Sequence, residues 1–193
     1  MLNYVEAPVL YNVLRGRWDA QLRCCNSACR HARPTAGEDF TSLQLPPVDA
    51  KSVQAALDMF EPNEVVKLKQ VCEKCGEGWF EKLYDLTHFP RVLIISLNRW
   101  DANRNAILYS IEANRSIRFR NQFYDLCATV CHIGRSPQEG HYITIARHPI
   151  SCGEWWFYDD ASRSLASDQQ VSTLCENTYN EPLKSYILIY ERR

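Results

Sequence analysis

The sequence lacks a net excess of either charge. Its 193 residues carry 22 Lys and Arg against 23 Asp and Glu, a formal net charge of −1, with an isoelectric point near 6.5. No strong field is available to hold an anionic polymer, so nucleic acid and acidic membrane surfaces are not expected partners. The start, Met-Leu-Asn-Tyr-Val-Glu, has no basic cluster followed by an apolar stretch, so no secretory signal is read there. Long apolar runs are absent as well. The most apolar, Val92 to Leu97, falls far short of the roughly 18 residues that span a bilayer. Neither an internal repeat nor a low-complexity tract is found. Nine cysteines is an odd number, and without an export signal the expected compartment is the reducing cytosol or nucleus, where thiols serve as metal ligands, catalysts or small buried apolar groups.

What is present is an ordinary globular composition, 46% apolar and 23% charged, on a length suited to one domain. Arg33-Pro34-Thr35-Ala36-Gly37 and Leu45-Pro46-Pro47 read as turns or loops. Val53, Ala56, Leu57 and Phe60 fall at i, i+3, i+4 and i+7. That spacing predicts an amphipathic helix over 52–60, with Ser52 as N-cap and Pro62 beyond its end. Val92 to Leu97 reads as a buried strand introduced by Pro90. Phe123 to Val130, His141 to Ala146, Trp155 to Tyr158 and Tyr186 to Tyr190 are aromatic and β-branched runs between Gly, Pro, Ser or Asn clusters. An α+β fold weighted toward an antiparallel sheet is expected.

Cys72-Glu73-Lys74-Cys75 is a CxxC, and Cys24-Cys25-Asn26-Ser27-Ala28-Cys29 lies upstream. Two close pairs far apart in sequence are the usual way to build a four-thiolate zinc site, because each tight turn aims two sulfurs at one ion. The expected ligands are Cys25, Cys29, Cys72 and Cys75, with Cys24 competing with Cys25 and His31 able to replace a thiolate. Gly76 and Gly78 suit the turn after the second pair. A redox CxxC is weaker, since no βαβ pattern surrounds Cys72. Cys127, Cys131, Cys152 and Cys175 show no partner spacing and read as buried or incidental.

Gly140-His141-Tyr142 opens one strand, and Tyr158-Asp159-Asp160 closes another eighteen residues on. A general base needs a neutral imidazole with one nitrogen free and a carboxylate on the other. A histidine and an aspartate on adjacent strands can meet in that way. Spacing alone favours a turn and a solvated loop instead.

Taken in order, these segments resemble the ubiquitin-specific protease family of papain-like cysteine deubiquitinases. Val13-Leu14-Arg15-Gly16-Arg17-Trp18 running into Cys25 and Cys29 is similar to the lead into the family's first zinc knuckle, and Cys72 to Cys75 to the second. Phe40 to Pro46 resembles the strand between them. Pro90-Arg91-Val92-Leu93-Ile94-Ile95-Ser96-Leu97-Asn98-Arg99-Trp100 resembles a "P-x-x-L-x-x-x-L-x-R-F" strand. His132-Ile133-Gly134 with Gly140-His141-Tyr142 resembles the histidine box, Trp155 with Tyr158-Asp159-Asp160 a "W-x-x-F-D-D" segment, and Ser185 to Tyr190 the terminal "A-Y-x-L-x-Y" strand.

The resemblance runs from about Val13 to Arg193. It implies one partial catalytic domain: zinc-bearing fingers over about 13–85, including the helix near 52–60, and a β-rich palm over about 86–193. It implies His141 as general base, Asp159 as its orienting partner, Asp160 as an accessory carboxylate, ubiquitin as partner and structural zinc as cofactor. No "G-N-T-C-Y" nucleophile box and no helical thumb occur in these residues, so the chain alone is expected to be inactive. The readings in play are thus part of a cysteine deubiquitinase, a non-catalytic ubiquitin-binding or scaffold module of that fold, and, remotely, an unrelated zinc ribbon that binds nucleic acid.

Overall fold

A computed structural model of the chain describes residues 7–46, 50–99, 103, 111–136, 139–148, 153–176 and 183–193. Pro47, Trp100 and Cys152 lie outside them, as does the side chain of Cys175. Along the chain come α1 (Ala7–Leu14), β1 (Gly16–Cys24), β2 (Ala32–Phe40), β3 (Leu43–Leu45), α2 (Val53–Asp58), β4 (Glu64–Lys67), β5 (Trp79–His88) and β6 (Val92–Leu97). Then follow β7 (Ser116–Phe119), β8 (Gln122–Ser136), β9 (Glu139–Arg147), β10 (Trp155–Asp159), β11 (Ser162–Leu165), α3 (Asp168–Glu176) and β12 (Leu183–Arg192). The α+β class weighted toward antiparallel strands is what the fold shows.

The chain divides into two compact units. One comprises the residues up to Thr41 together with Glu61–Pro90, and the other Ser42–Phe60 with Arg91–Arg193. The first unit is a four-stranded sheet in the order β2-β1-β5-β4. Its central strand β1 buries alternate residues, Trp18, Ala20, Leu22 and Cys24, because successive side chains of a strand point to opposite faces. The stretch 33–37, expected as a turn, is strand instead: Pro34 pairs with Gln21 and Thr35 with Ala20. β2 is an edge strand, the place in a sheet where proline's missing N–H is tolerated.

The second unit is built on the strand order β11-β10-β9-β8-β12-β6-β3, with β7 paired to β8. All pairings between these strands are antiparallel except β3 with β6. Leu93, Ile95 and Leu97 of β6 are buried together with Leu188 and Tyr190 of β12, Tyr124 and Leu126 of β8, and Ile143 and Ile145 of β9. Each such side chain removed from water contributes about 1.5–3 kcal/mol before chain entropy is counted. The phenol of Tyr190 donates to the Asn114 carbonyl at 3.0 Å, satisfying the one polar atom it takes into the core.

α2 forms where its periodicity predicts. Ser52 Oγ accepts from the Ala55 N–H at 3.1 Å, and Val53, Ala56 and Leu57 are buried. Its company differs from the expectation, since residues 42–60 belong with the second unit and not with the knuckle-bearing strands. The cause is long-range: β3 pairs in parallel with β6, Leu43 opposite Ile95, and the Val53 N–H donates to the Glu112 carbonyl at 2.9 Å. Among the described residues, no helix is long and apolar enough to cross a membrane.

Candidate active site and cysteine cluster

β9 and β10 place the histidine and the aspartate on one face by parity. Ile145 pairs with Phe157, and Thr144 with Tyr158. Side chains alternate along each strand, so His141, Ile143 and Ile145 share a face with Phe157 and Asp159. On that face Nε2 of His141 meets Oδ1 of Asp159. The side chains are 40% and 45% exposed, so the pair is reachable from solvent.

The hydrogen bond to Asp159 raises the His141 pKa above the ordinary imidazole value, and the charges of Asp159 and Asp160 push the same way against the partial cost of burial. With Nε2 engaged, Nδ1 is the nitrogen left for a reacting group. Asp160 follows in the left-handed region, at φ 48°, a conformation aspartate tolerates better than most residues. Its carboxylate joins a group in which one ligand atom each from His141, Asp159 and Asp160 lies within 4.8 Å of the others. The three residues read from the sequence as a catalytic set are therefore together.

The cysteine cluster is assembled from two turns of the first unit. In the turn after β1, the Cys29 and Arg30 N–H groups donate to the Asn26 carbonyl at 3.0 and 2.9 Å. The second turn closes with the Gly76 N–H on the Cys72 carbonyl at 2.7 Å. Gly76 there takes φ 77°, which glycine adopts without a Cβ penalty. Sulfurs of Cys24, Cys29, Cys72 and Cys75 lie within 4.8 Å of one another.

Cys25 is not among them. It is exposed, while Cys24 continues the buried parity of β1 and packs with Leu22, Cys72 and Phe80. Of the competing pair, Cys24 is the residue delivered to the cluster. His31 also stays outside it, with Nε2 3.1 Å from Glu73. Cys131 is buried and Cys127 half-buried. The Cys127 thiol faces the Ile189 carbonyl at 3.2 Å.

The cluster fits a tetrahedral ion. Cys24 and Cys75 sulfurs are 3.5 Å apart, and those of Cys29 and Cys72 3.8 Å. Zinc–sulfur bonds of about 2.3 Å at the tetrahedral angle put sulfurs about 3.8 Å apart, whereas a disulfide needs about 2.05 Å. Burial pushes the Cys24 thiol up to about 12. The Lys74 backbone N–H, helped by that of Cys75, draws Cys72 down to about 7. The backbone thus favours the thiolate at Cys72, while the buried Cys24 thiol needs a cation beside it to ionise.

The ubiquitin carboxyl-terminal hydrolase family model matches residues 5–190. Ubiquitin carboxyl-terminal hydrolase 4 of Mus musculus is 30% identical over 187 residues, covering 79% of this chain and 18% of the relative. The Arabidopsis thaliana protein of the same name is 24% identical over 200 residues, covering 94% of this chain and 53% of the relative. The chain thus spans under a fifth of one relative and about half of the other. Among solved structures, a chain of a SAGA DUB module containing Ubp8, bound to monoubiquitin, superposes with a TM-score of 0.74 at 25% identity, over 96% of this chain and 42% of that one. With the family model matched from residue 5 to residue 190, and the histidine and aspartate it was expected to bring together in contact, the chain belongs to the ubiquitin carboxyl-terminal hydrolase family.

Proposed function

We propose that the chain supplies the base-bearing palm and the cysteine-clustered fingers of a deubiquitinase that hydrolyses the bond at the C-terminus of ubiquitin. The contact of His141 Nε2 with Asp159 carries the reading, because it fixes the tautomer and leaves Nδ1 for a thiol. His141 takes the proton of a cysteine that this part must be given, the thiolate attacks the carbonyl, and the imidazolium returns the proton to the leaving amine. The raised pKa of His141 favours the thiolate–imidazolium pair before attack. Water then resolves the thioester, with His141 again as base. Asp160 adds negative potential beside the imidazolium. Cys24, Cys29, Cys72 and Cys75 hold zinc, which when bound contributes to the folding of the first unit. Ubiquitin is the partner, as monoubiquitin is in the SAGA DUB module, and the cytosol or nucleus is the compartment.

A second reading is a ubiquitin-binding module of the same fold without catalysis. An assay separates the two. The chain alone leaves a ubiquitin C-terminal fluorogenic substrate uncleaved; fused to a thumb segment that bears the cysteine box, it turns the substrate over. A folded fusion that binds ubiquitin yet shows no turnover contradicts the catalytic reading and leaves the module.

A further inference from the structure

Four polar or charged side chains are buried among the described residues: Arg99, Thr129, His132 and Ser185. Thr129 and His132 both lie on β8 against β9, the strand carrying His141, and His132 is the nearer to it. It lies on β8 directly opposite Tyr142, one step from the pair Ile133–His141. By the alternation of side chains, His132 and His141 therefore project from opposite faces of the β8–β9 ladder. The His132 ring cannot serve the reacting face directly, and it shows only 5% of its surface.

Its surroundings are cut to its shape. A Cβ on Gly140, the residue before His141, would stand 2.2 Å from His132 Nε2 and 2.7 Å from Cε1. A Cβ on Gly134 would meet the same Cε1 at 2.7 Å and the Glu139 carbonyl at 2.3 Å. Two glycines are thus cleared around one imidazole. The ring also packs on Tyr142 at 4.7 Å, and Tyr142 in turn on Tyr186 at 6.1 Å. This is also where the ladder is least regular, with a register shift between Ile133 and Ser136. A shift of that kind re-aims the side chains beside it, and a one-residue slip of β9 would carry His141 to the wrong face.

We propose that His132 is a positioning residue: its imidazole, seated where Gly140 has no Cβ, locks the irregular β8–β9 register that presents His141 to Asp159. The inference rests on the His141–Asp159 pair of the proposed function and adds the element that keeps the pair in place. Its readout does not need a nucleophile. In the chain as it stands, His141 titrates above the ordinary value of about 6.5 because Asp159 holds it. A ring that merely filled space would affect melting temperature without moving that titration.

The test is an NMR titration of the five histidine rings, with His141→Gln assigning the resonance. His132→Ala is expected to bring the His141 midpoint back toward about 6.5. Gly140→Ala, which drives a methyl into the imidazole, is expected to do the same. Combining them removes the collision with the ring but leaves the Ile133 carbonyl at 2.7 Å from the new methyl and the imidazole absent. The double variant should therefore keep the lowered midpoint of His132→Ala, with Gly140→Ala adding less than it does in wild type. The same comparison in melting temperature reads the contact independently: Gly140→Ala should cost less in the His132→Ala background than in wild type. A folded His132→Ala chain with an unmoved His141 midpoint, or a Gly140→Ala effect as large without the imidazole as with it, overturns the proposal. A wild-type midpoint at the free-imidazole value would instead overturn the His141–Asp159 pair, and the inference with it.

Discussion

Asp159 touches Nε2 of His141, and so leaves Nδ1 as the only ring nitrogen available to a thiol. An amide at position 159 would keep the size and a hydrogen bond but lose the charge that stabilises the imidazolium. In the fusion bearing a cysteine box, Asp159→Asn should lower kcat by up to about 10⁴-fold, the loss found when the aspartate of a serine-protease triad is changed in this way. Steady-state kinetics on the fluorogenic substrate measure it. A loss below about tenfold would remove Asp159 from the orienting role.

The same contact predicts a pH dependence of stability. The folded-state pKa of His141 is raised above its unfolded value, so the pair's contribution is fully present below about pH 6.5 and fades as pH rises through the folded value. Denaturation of wild type and Asp159→Asn should therefore show the larger gap near pH 5.5 and a smaller one near pH 8.5. A gap that widens with rising pH would contradict the sign.

For the metal, purified chain should carry close to one zinc. Cys24→Ser and Cys72→Ser should each lower zinc content and depress the melting temperature by on the order of 10 °C, because metal binding at such a site is folding free energy. Cys25→Ser should leave both unchanged, since Cys25 is exposed and outside the cluster. Elemental analysis with thermal melting decides it, and a metal-free chain of equal stability would remove zinc from the account.

A smaller effect tests the helix. Ser52→Ala loses the cap on the Ala55 N–H and should cost about 1 kcal/mol, a drop of about 2–4 °C in melting temperature. An unchanged melting curve would mean that the cap contributes nothing to α2.

Local pattern carried much of this in the sequence, and long-range pairing carried the rest. Val92–Leu97 and the heart of α2 are legible because the first is a nearly unbroken apolar run and the second has a helical period of its own. So, in principle, is the choice of Cys24 over Cys25. Trp18, Ala20, Leu22 and Cys24 keep the inward parity of β1, a signal that the irregular spacing of Cys24, Cys25 and Cys29 obscures. Pro34 and Gly37 disguised β2 as a loop, because an edge strand stands at low cost what a central strand cannot. The assignment of residues 42–60 to the second unit depends on a parallel pairing with β6 that no local pattern announces. α1 has Ala7, Leu10, Tyr11 and Leu14 at i, i+3, i+4 and i+7 but spans only eight residues, too short to stand out, and α3 carries few apolar residues. Gly140-His141-Tyr142 was recognisable as a box, yet the alternation linking His141 to Asp159 needed the β9–β10 register to be known.

The most direct measurement is turnover of a ubiquitin C-terminal fluorogenic substrate by the chain fused to a cysteine-box thumb segment, with and without His141→Ala. A base that generates the thiolate predicts that the variant folds, still binds ubiquitin, and loses turnover by at least about 10³-fold. Turnover within tenfold of the parent fusion would contradict the assignment of His141, and with it the catalytic reading of the site.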